Sequence, residues 1–324
     1  MKILVTGAAG FIGFHVAQSL LRDGNEVVGI DNFSEYYPVR LNRDRNAVLA
    51  ALPRYTGIEA DLADYPRLLR TFEEQRFDAV CHLAAQPGVR YSIEHPFVYQ
   101  RSNLDAFLSI LEACRHAKVP RLVYASSSSV YGGNRKLPFS EEDAVDHPIS
   151  LYAATKKANE LMAHAYTHLY GFQTIGLRFF TVYGPWGRPD MAVWLFTDAM
   201  LQGRTIQVFN HGDMSRDFTY VDDIVQGVKA ALVREGLAPY EVMNLGHNRP
   251  EKLLDLIDTI ARELGVEPRL QLAPLPACDV QATFADIRQA QEKLGFQPAT
   301  SLSQGIPRFV SWYREYHRTG ARPA

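Results

Sequence analysis

The chain has 324 residues, 47% of them hydrophobic and 22% charged, and its 34 basic and 36 acidic side chains leave a formal net charge of −2. That composition suits one large globular domain or two modest ones, and the near-neutral balance offers no basic field for nucleic acid. No apolar run approaches the ~20 residues of a membrane span, and glycines interrupt the apolar start "MKILVTGAAG" too early for a signal peptide.

In chain order, "KILVT" (Lys2–Thr6) reads as a strand buried on both faces, and Phe11–Arg22 as a helix ended by Asp23-Gly24. "EVVGID" (Glu26–Asp31) is the second strand, and helical periodicity follows over Tyr65–Gln75. "DAVCHLAA" (Asp78–Ala85) is a strand, Asn103–Ala117 a helix and "RLVYASS" (Arg121–Ser127) another strand. Leu151–Tyr170 reads as a helix and Thr174–Phe180 as a strand, with a helix at Tyr220–Arg234 and a strand at Glu241–Leu245. Strands alternating with helices imply crossover units and a parallel sheet. The predicted fold is therefore α/β, a Rossmann-type doubly wound parallel sheet with a smaller, interleaved C-terminal substrate lobe. Residues 1–180 would form the dinucleotide-binding domain, with part of 215–246 returning to it. Residues 181–324 would form mainly the lobe, set over the carboxyl edge where open parallel sheets bind ligands, and the C-terminal third reads as mostly helices and loops.

"TGAAGFIG" (Thr6–Gly13) joins the first strand to the first helix, and Gly7, Gly10 and Gly13 give G-x-x-G-x-x-G. Such glycines permit a tight turn, close backbone approach to a pyrophosphate and close helix packing, while the helix start offers free N–H groups. Asp31, at the end of the second strand, can accept both hydroxyls of an adenosine ribose and repel a 2′-phosphate, which favours NAD over NADP; it can equally cap a turn. Arg40, Arg43 and Arg45 lie well past that strand end and read as a solvated face. Asp61 is placed either to meet the adenine ring or to cap the next helix.

"YAATK" puts Tyr152 and Lys156 on one helical face. A lysine cation near a tyrosine favours the phenolate, so the pair suits removal of an alcohol proton as hydride leaves for NAD. The run Ser126–Ser129 ends the preceding strand, where a hydroxyl can donate and accept beside that tyrosine; for at least two of the four the bland role of a strand-end turn hydroxyl is expected. Cys81, Cys114 and Cys278 show neither CxxC nor His-linked metal spacing, so no metal site is expected. The first two read as core thiols, consistent with a reducing, cytoplasmic setting.

With these motifs together the chain resembles the extended short-chain dehydrogenase/reductase superfamily. "TGAAGFIG", "HLAAQPGVRYS", "SSSSVYG", "YAATKKANE" and "RDFTYVDD" point to its nucleotide-sugar branch. "GIDNFSEYY", "QPGVRYS" and "RFFTVYGPWGRPDMA" are most similar to UDP-glucuronate 4-epimerases. The resemblance implies a catalytic serine at Ser127, a base at Tyr152 and its partner at Lys156. It implies NAD contacts at Gly7, Gly10, Phe11, Ile12, Gly13, Asp31, Asn32, Asp61 and Leu62. Further NAD contacts are implied at Leu83, Ala84, Ala85, Asn103, Ser126, Tyr152, Lys156 and Phe179, the last by packing only. UDP contacts are implied at Val208, Phe209, Arg216 and Asp279. Pro276 stands where some relatives carry a phosphate-binding arginine, and Cys278 where the family usually has glycine, which shifts diphosphate charge onto Arg216.

Related 4,6-dehydratases and decarboxylases carry acids where Ser128 and Ser129 stand, so this chain is expected to eliminate nothing. The implied reaction is C4 epimerisation of a UDP-hexuronate, UDP-glucuronate to UDP-galacturonate, through a transient 4-keto sugar. Because a 4-keto uronate is a β-keto acid, its carboxylate must be held out of alignment, for which Arg188, Thr181, Ser128 and Arg90 are the candidates. A UDP-glucose 4-epimerase is the alternative; neutral-sugar relatives commonly carry Asn at the position of Thr181. A net oxidoreductase releasing NADH and a non-catalytic NAD-binding sensor are the others; sensors often lose the tyrosine or lysine that this chain keeps. The resemblance also implies a homodimer through Asn103–Ala117 and Leu151–Tyr170.

Overall fold

The computed structural model describes residues 1–275 and 280–318. Its strands are, in chain order, β1 (Lys2–Thr6), β2 (Glu26–Asp31), β3 (Tyr55–Glu59), β4 (Ala79–His82), β5 (Arg121–Ser127), β6 (Gln173–Phe179), β7 (Thr181–Tyr183), β8 (Thr205–Phe209), β9 (Ser215–Tyr220), β10 (Tyr240–Leu245), β11 (Pro250–Lys252), β12 (Arg269–Ala273) and β13 (Ala282–Thr283). Seven of them form one sheet in the order β10-β6-β5-β4-β1-β2-β3, all pairs parallel. The order reverses between β1 and β4, and a crevice opens at such a switch point.

Alternate side chains of each central strand go to opposite layers, as the two-residue period requires. Ile3, Val5, Cys81 and Val123 join helices Phe11–Arg22 and Val221–Val233 on one face. Leu4, Val80, Leu122 and Tyr124 join helices Tyr65–Gln75, Ala106–His116 and Leu151–Tyr170 on the other. A third core lies outside the sheet, where helices Ala192–Leu201, Leu253–Leu264 and Leu302–Arg318 pack around Trp194, Ile257 and Phe309. That lobe carries the short pairings β9 with β7, β11 and β13, and β8 with β12. The chain enters it after β6, returns to the large sheet through helix Val221–Val233 and β10, and then enters it again. No helix among the described residues is long and apolar enough to cross a membrane.

Three differences from the sequence reading bear on the site. Helix Val39–Ala50 was not expected, and Arg45 on it is fully buried rather than part of a solvated face. Its guanidinium donates to the carbonyls of Ala9 (3.1 Å), Trp186 (2.6 Å) and Gly187 (3.1 Å) and to Asn42 Oδ1 (2.7 Å). Arg43 and Arg40 do face solvent, paired with Glu59 and Asp44. The helix expected over Asn103–Ala117 is α-helical only from Ala106; Gln100–Asp105 is a π turn. The C-terminal third holds several short strands besides helices and loops.

Candidate active site

The site is built where β1, β4, β5 and β6 end. Gly7 follows β1 with φ +68°, and a Cβ on it would stand 2.8 Å from the backbone nitrogen of Ala84, just past β4. A Cβ on Gly13 would collide with the Gly7 carbonyl oxygen. Only glycines allow the first helix to start this close to the strand ends. That helix opens at Gly10 with no side-chain cap and no acid in its first turn, so its leading N–H groups are available to an anionic ligand. These features fit a dinucleotide pyrophosphate.

Asp31 lines the same cavity at the end of β2. Its carboxylate accepts from the N–H groups of Ala9 (3.0 Å) and Phe33 (2.9 Å), so it braces the glycine loop as well as facing the cleft. Burial raises its pKa, and those two N–H groups oppose the rise. Asp61 also lines the cavity, but the cap of helix Tyr65–Gln75 is Asp64, which accepts from Arg67 N. Asp61 instead accepts from Ala63 N (2.9 Å) and pairs with Arg101 (2.8 Å).

β5 delivers the serines. Ser126 spends its hydroxyl on Glu160 (2.7 Å), whose carboxylate is doubly bonded to buried Arg178. Ser126 thus borders the cavity with its hydroxyl committed to the framework. Ser127 Oγ donates to Ser129 Oγ (3.1 Å) and accepts from Ser129 N (3.2 Å), capping the single 3-10 turn Ser128–Tyr131.

Ser150 caps helix Leu151–Tyr170, its Oγ accepting from Ala153 N (3.1 Å), which places Tyr152 in the first turn. The Tyr99 ring meets the Tyr152 ring edge-on at 6.1 Å. Burial raises the Tyr152 phenol above its ordinary pKa, while the Ser127 hydrogen bond and the charge of Arg188 pull it back. Lys156, one turn on, donates to the Ala125 carbonyl (3.0 Å), and burial lowers its pKa to about 8. At neutral pH that lysine remains mostly a cation held at the strand end.

The cavity brings together Gly7, Gly10, Phe11, Ile12, Gly13, Asp31, Asn32, Asp61 and Leu62 with Leu83, Ala84, Ala85 and Phe179. Ser126, Ser127, Ser128, Tyr152, Lys156, Thr181 and Arg188 complete its other end. Asn103 is not on its wall. Its side-chain amide is buried and spent on the backbone of Gln86 and on Thr155, so it holds the β4 exit loop rather than facing a ligand. Arg90 lies over the Phe209 ring at 4.6 Å, outside that wall, and so bridges the β4 exit loop and the lobe. Val208 is fully buried in the lobe core, which makes its side chain a packing group. Arg216 donates to the carbonyls of Ser215, Val280 and Gln281. Asp279, with Pro276 and Cys278, lies outside the described residues. Cys81 and Cys114 are buried free thiols, and no group of His, Cys, Asp or Glu among the described residues could hold a metal ion.

Sequence reasoning missed Tyr36, Tyr37, Asn42, Gln86 and Met191 on the wall. It also missed Asp190, which takes Arg188 Nε (3.0 Å) and Nη2 (2.5 Å) in a two-pronged ion pair. The spacing of Arg188 and Asp190 was visible, but nothing in it distinguished a fork from a surface turn.

Fold and cleft define a dinucleotide-dependent enzyme, with Tyr152 and Lys156 at the strand ends in one cavity with the glycine loop. The chain belongs to the NAD dependent epimerase/dehydratase family, which matches residues 3–246. UDP-glucuronate 4-epimerase 2 of Arabidopsis thaliana is 47% identical over 99% of this chain and 78% of its own length. The crystal structure of UDP-glucuronic acid 4-epimerase from Bacillus cereus in complex with UDP-glucuronic acid and NAD is 35% identical, covering 97% of this chain and 99% of that one, with a TM-score of 0.91. UDP-glucose 4-epimerase of Thermus thermophilus, solved with NAD, is 30% identical over 97% and 99% of the two chains, with a TM-score of 0.86.

Proposed function

We propose that this chain inverts C4 of UDP-glucuronate to give UDP-galacturonate, with NAD as a cofactor regenerated in each turnover. The observation that carries the reading is one cavity holding the Tyr152–Lys156 pair beside a dinucleotide loop, with Arg188 among its wall residues. Gly7, Gly10, Phe11, Ile12 and Gly13 would hold the NAD pyrophosphate, Asp31 and Asn32 its ribose, and Asp61 with Leu62 its adenine. Leu83, Ala84, Ala85, Ser126 and Phe179 would form the bed of the nicotinamide. When bound, NAD supplies the acceptor for the C4 hydride and returns it to the opposite face.

The protein's share is proton transfer and restraint. Tyr152 takes the O4 proton and later gives it back, Ser127 bonds the same oxygen, and the Lys156 cation favours the phenolate. Asp31 and Asp61 are the only carboxylates among the described wall residues, and both are proposed to face the nucleotide, which leaves no acid for an elimination. The sugar must turn between the two transfers, so nucleotide and hexuronate need separate anchors. Phe209, Arg216 and Asp279 are proposed for UDP. Ser128, Thr181 and Arg188 are proposed for the carboxylate, which a 4-keto sugar would otherwise lose as carbon dioxide. Arg90 is placed to steady Phe209.

The enzyme is further proposed to be a cytoplasmic homodimer. Leu108 on helix Ala106–His116 and Leu161 and Leu169 on helix Leu151–Tyr170 are large apolar side chains left exposed, as a four-helix contact between two copies would use. Incubation with UDP-glucuronate, UDP-glucose and their N-acetyl analogues, products resolved by chromatography, tests the reaction. UDP-galacturonate is the expected main product. Comparable kcat/KM on UDP-glucose would move the assignment to a neutral-sugar epimerase, and stoichiometric NADH release would make it a net oxidoreductase.

A further inference from the structure

Among the described residues, Asp190 is the only carboxylate paired with Arg188. It reaches the guanidinium from the turn Arg188–Met191 that leads into helix Ala192–Leu201. Its Oδ1 accepts from Nε and its Oδ2 from Nη2, and the same Oδ2 accepts from the Tyr36 hydroxyl (2.9 Å). Tyr36 is in turn fixed from two sides. Its ring packs on Tyr91 at 4.7 Å, and a Cβ on Gly88 would stand 2.7 Å from its hydroxyl, in a backbone conformation (φ +102°) that suits glycine. Three separate stretches of chain therefore converge to hold one arginine plane. Burial disfavours the charge on Arg188, and the Asp190 carboxylate, with smaller contributions from Tyr37 and Tyr152, more than offsets this and holds its pKa above the ordinary arginine value.

An arginine offers five N–H donors in a rigid fork. Asp190 occupies the Nε–Nη2 edge, and because Arg188 lines the cavity the remaining Nη1 side is the part assigned to a ligand. A substrate carboxylate bound there meets a cation whose charge is already partly offset, and it feels the repulsion of a second carboxylate. The result is a grip with a fixed direction and limited strength. A sugar that must turn between two hydride transfers requires its carboxylate to be let go and taken again.

We propose that Asp190, steadied by Tyr36, is a positioning residue that orients Arg188 and limits how tightly it holds the substrate carboxylate, so that the sugar can turn. This rests on the reading of the substrate as a UDP-hexuronate.

The test is Asp190→Asn in the full chain loaded with NAD. Asparagine keeps the shape and removes the charge. Affinity for UDP-glucuronate, measured by calorimetry, is expected to rise roughly three- to tenfold, while kcat falls about tenfold and affinity for UDP stays within about twofold. Reduced-nicotinamide absorbance during turnover should increase, because the oxidised sugar turns more slowly. Unchanged kcat and uronate affinity would overturn the proposal, and so would a parallel loss of UDP and uronate affinity, which marks a merely structural role. If Asp190→Asn does not fold, Tyr36→Phe leaves the ion pair but removes its brace. A kcat lowered about two- to fivefold with UDP affinity intact then supports the proposal, and native kcat overturns it. Native protein that neither binds nor converts UDP-glucuronate would instead remove the substrate reading, a result separate from the behaviour of either variant.

Discussion

At the scale of single residues, the site combines the proposed proton acceptor Tyr152 with the buried cation Lys156, and each can be tested separately. Tyr152→Phe removes the acceptor but keeps the ring that Tyr99 contacts. Turnover should fall by roughly a hundred- to ten-thousandfold with NAD still bound, as read by steady-state assay and calorimetry. Retention of most activity would remove Tyr152 from the role. Lys156 tests a different property. It is 2% exposed, and its pKa is lowered by burial from 10.5 to about 8. The native state thus holds this proton less tightly than the unfolded chain does. On this group's account, stability rises with pH between about 8 and 10.5. Lys156→Met should be inactive yet more stable than the native protein at neutral pH, and that advantage should shrink by on the order of 3 kcal/mol across the window. Subtracting the native curve cancels the contribution of the buried thiols Cys81 and Cys114, whose raised pKa values act in the same range. A pH-independent difference in denaturant midpoints would show that the charge is not strained by burial.

At the scale of elements, one buried polar network ties helix Leu151–Tyr170 to the sheet. Glu160 on helix Leu151–Tyr170 holds Ser126 at the end of β5 and Arg178 on β6. Arg178 continues to the Tyr131 hydroxyl (3.0 Å), which donates to Asn244 on β10 (2.7 Å). Removing Arg178 leaves the Glu160 carboxylate buried with only Ser126 and, at 3.8 Å, the Lys157 ammonium beside it, whereas replacing both members with apolar groups costs much less. Arg178→Met should therefore destabilise by about 3–5 kcal/mol, and Glu160→Leu combined with Arg178→Met by clearly less. Urea unfolding of the two variants decides it; a double variant that loses as much as Arg178→Met or more would mean that the pair behaves as two independent contacts.

At the scale of the whole molecule, the lobe and the sheet are joined where Asp217 is wholly buried on β9. Its carboxylate accepts from the backbone N–H groups of His247 (2.6 Å), Asn248 (3.0 Å) and Ala285 (3.1 Å) and from the Thr219 hydroxyl. It gathers the exit of β10, the segment after β13 and the lobe strand into one place. Asp217→Asn turns an acceptor into a donor facing N–H groups, so a loss of roughly 2–4 kcal/mol is expected, with proteolysis first at the β10 exit. Native thermal stability in that variant would show that the junction is held by packing alone.

The parts of this protein that its sequence determined are those where a local pattern has one physical solution. β1, β2 and β5, with helices Phe11–Arg22 and Tyr65–Gln75, fall where periodicity places them, because their buried faces are mainly apolar; helix Leu151–Tyr170 also falls where it is expected, although Thr155, Lys156, Asn159, Glu160 and Thr167 are among its buried residues. The glycine loop and the Tyr152–Lys156 pair were legible for a similar reason, since spacing alone sets a tight turn or a shared helical face. Helix Val39–Ala50 was illegible because its buried face carries Asn42 and Arg45 beside Leu41 and Leu49. The carbonyls that accept from Arg45 Nη1 and Nη2 lie 36 to 142 residues away, and no local window contains them. Separation in sequence also hid Asn103, whose side chain meets Gln86 17 residues earlier and Thr155 52 residues later, and Asp190, whose brace Tyr36 lies 154 residues earlier. Burial of a polar side chain costs free energy unless a partner meets it, and only the folded chain brings such partners together.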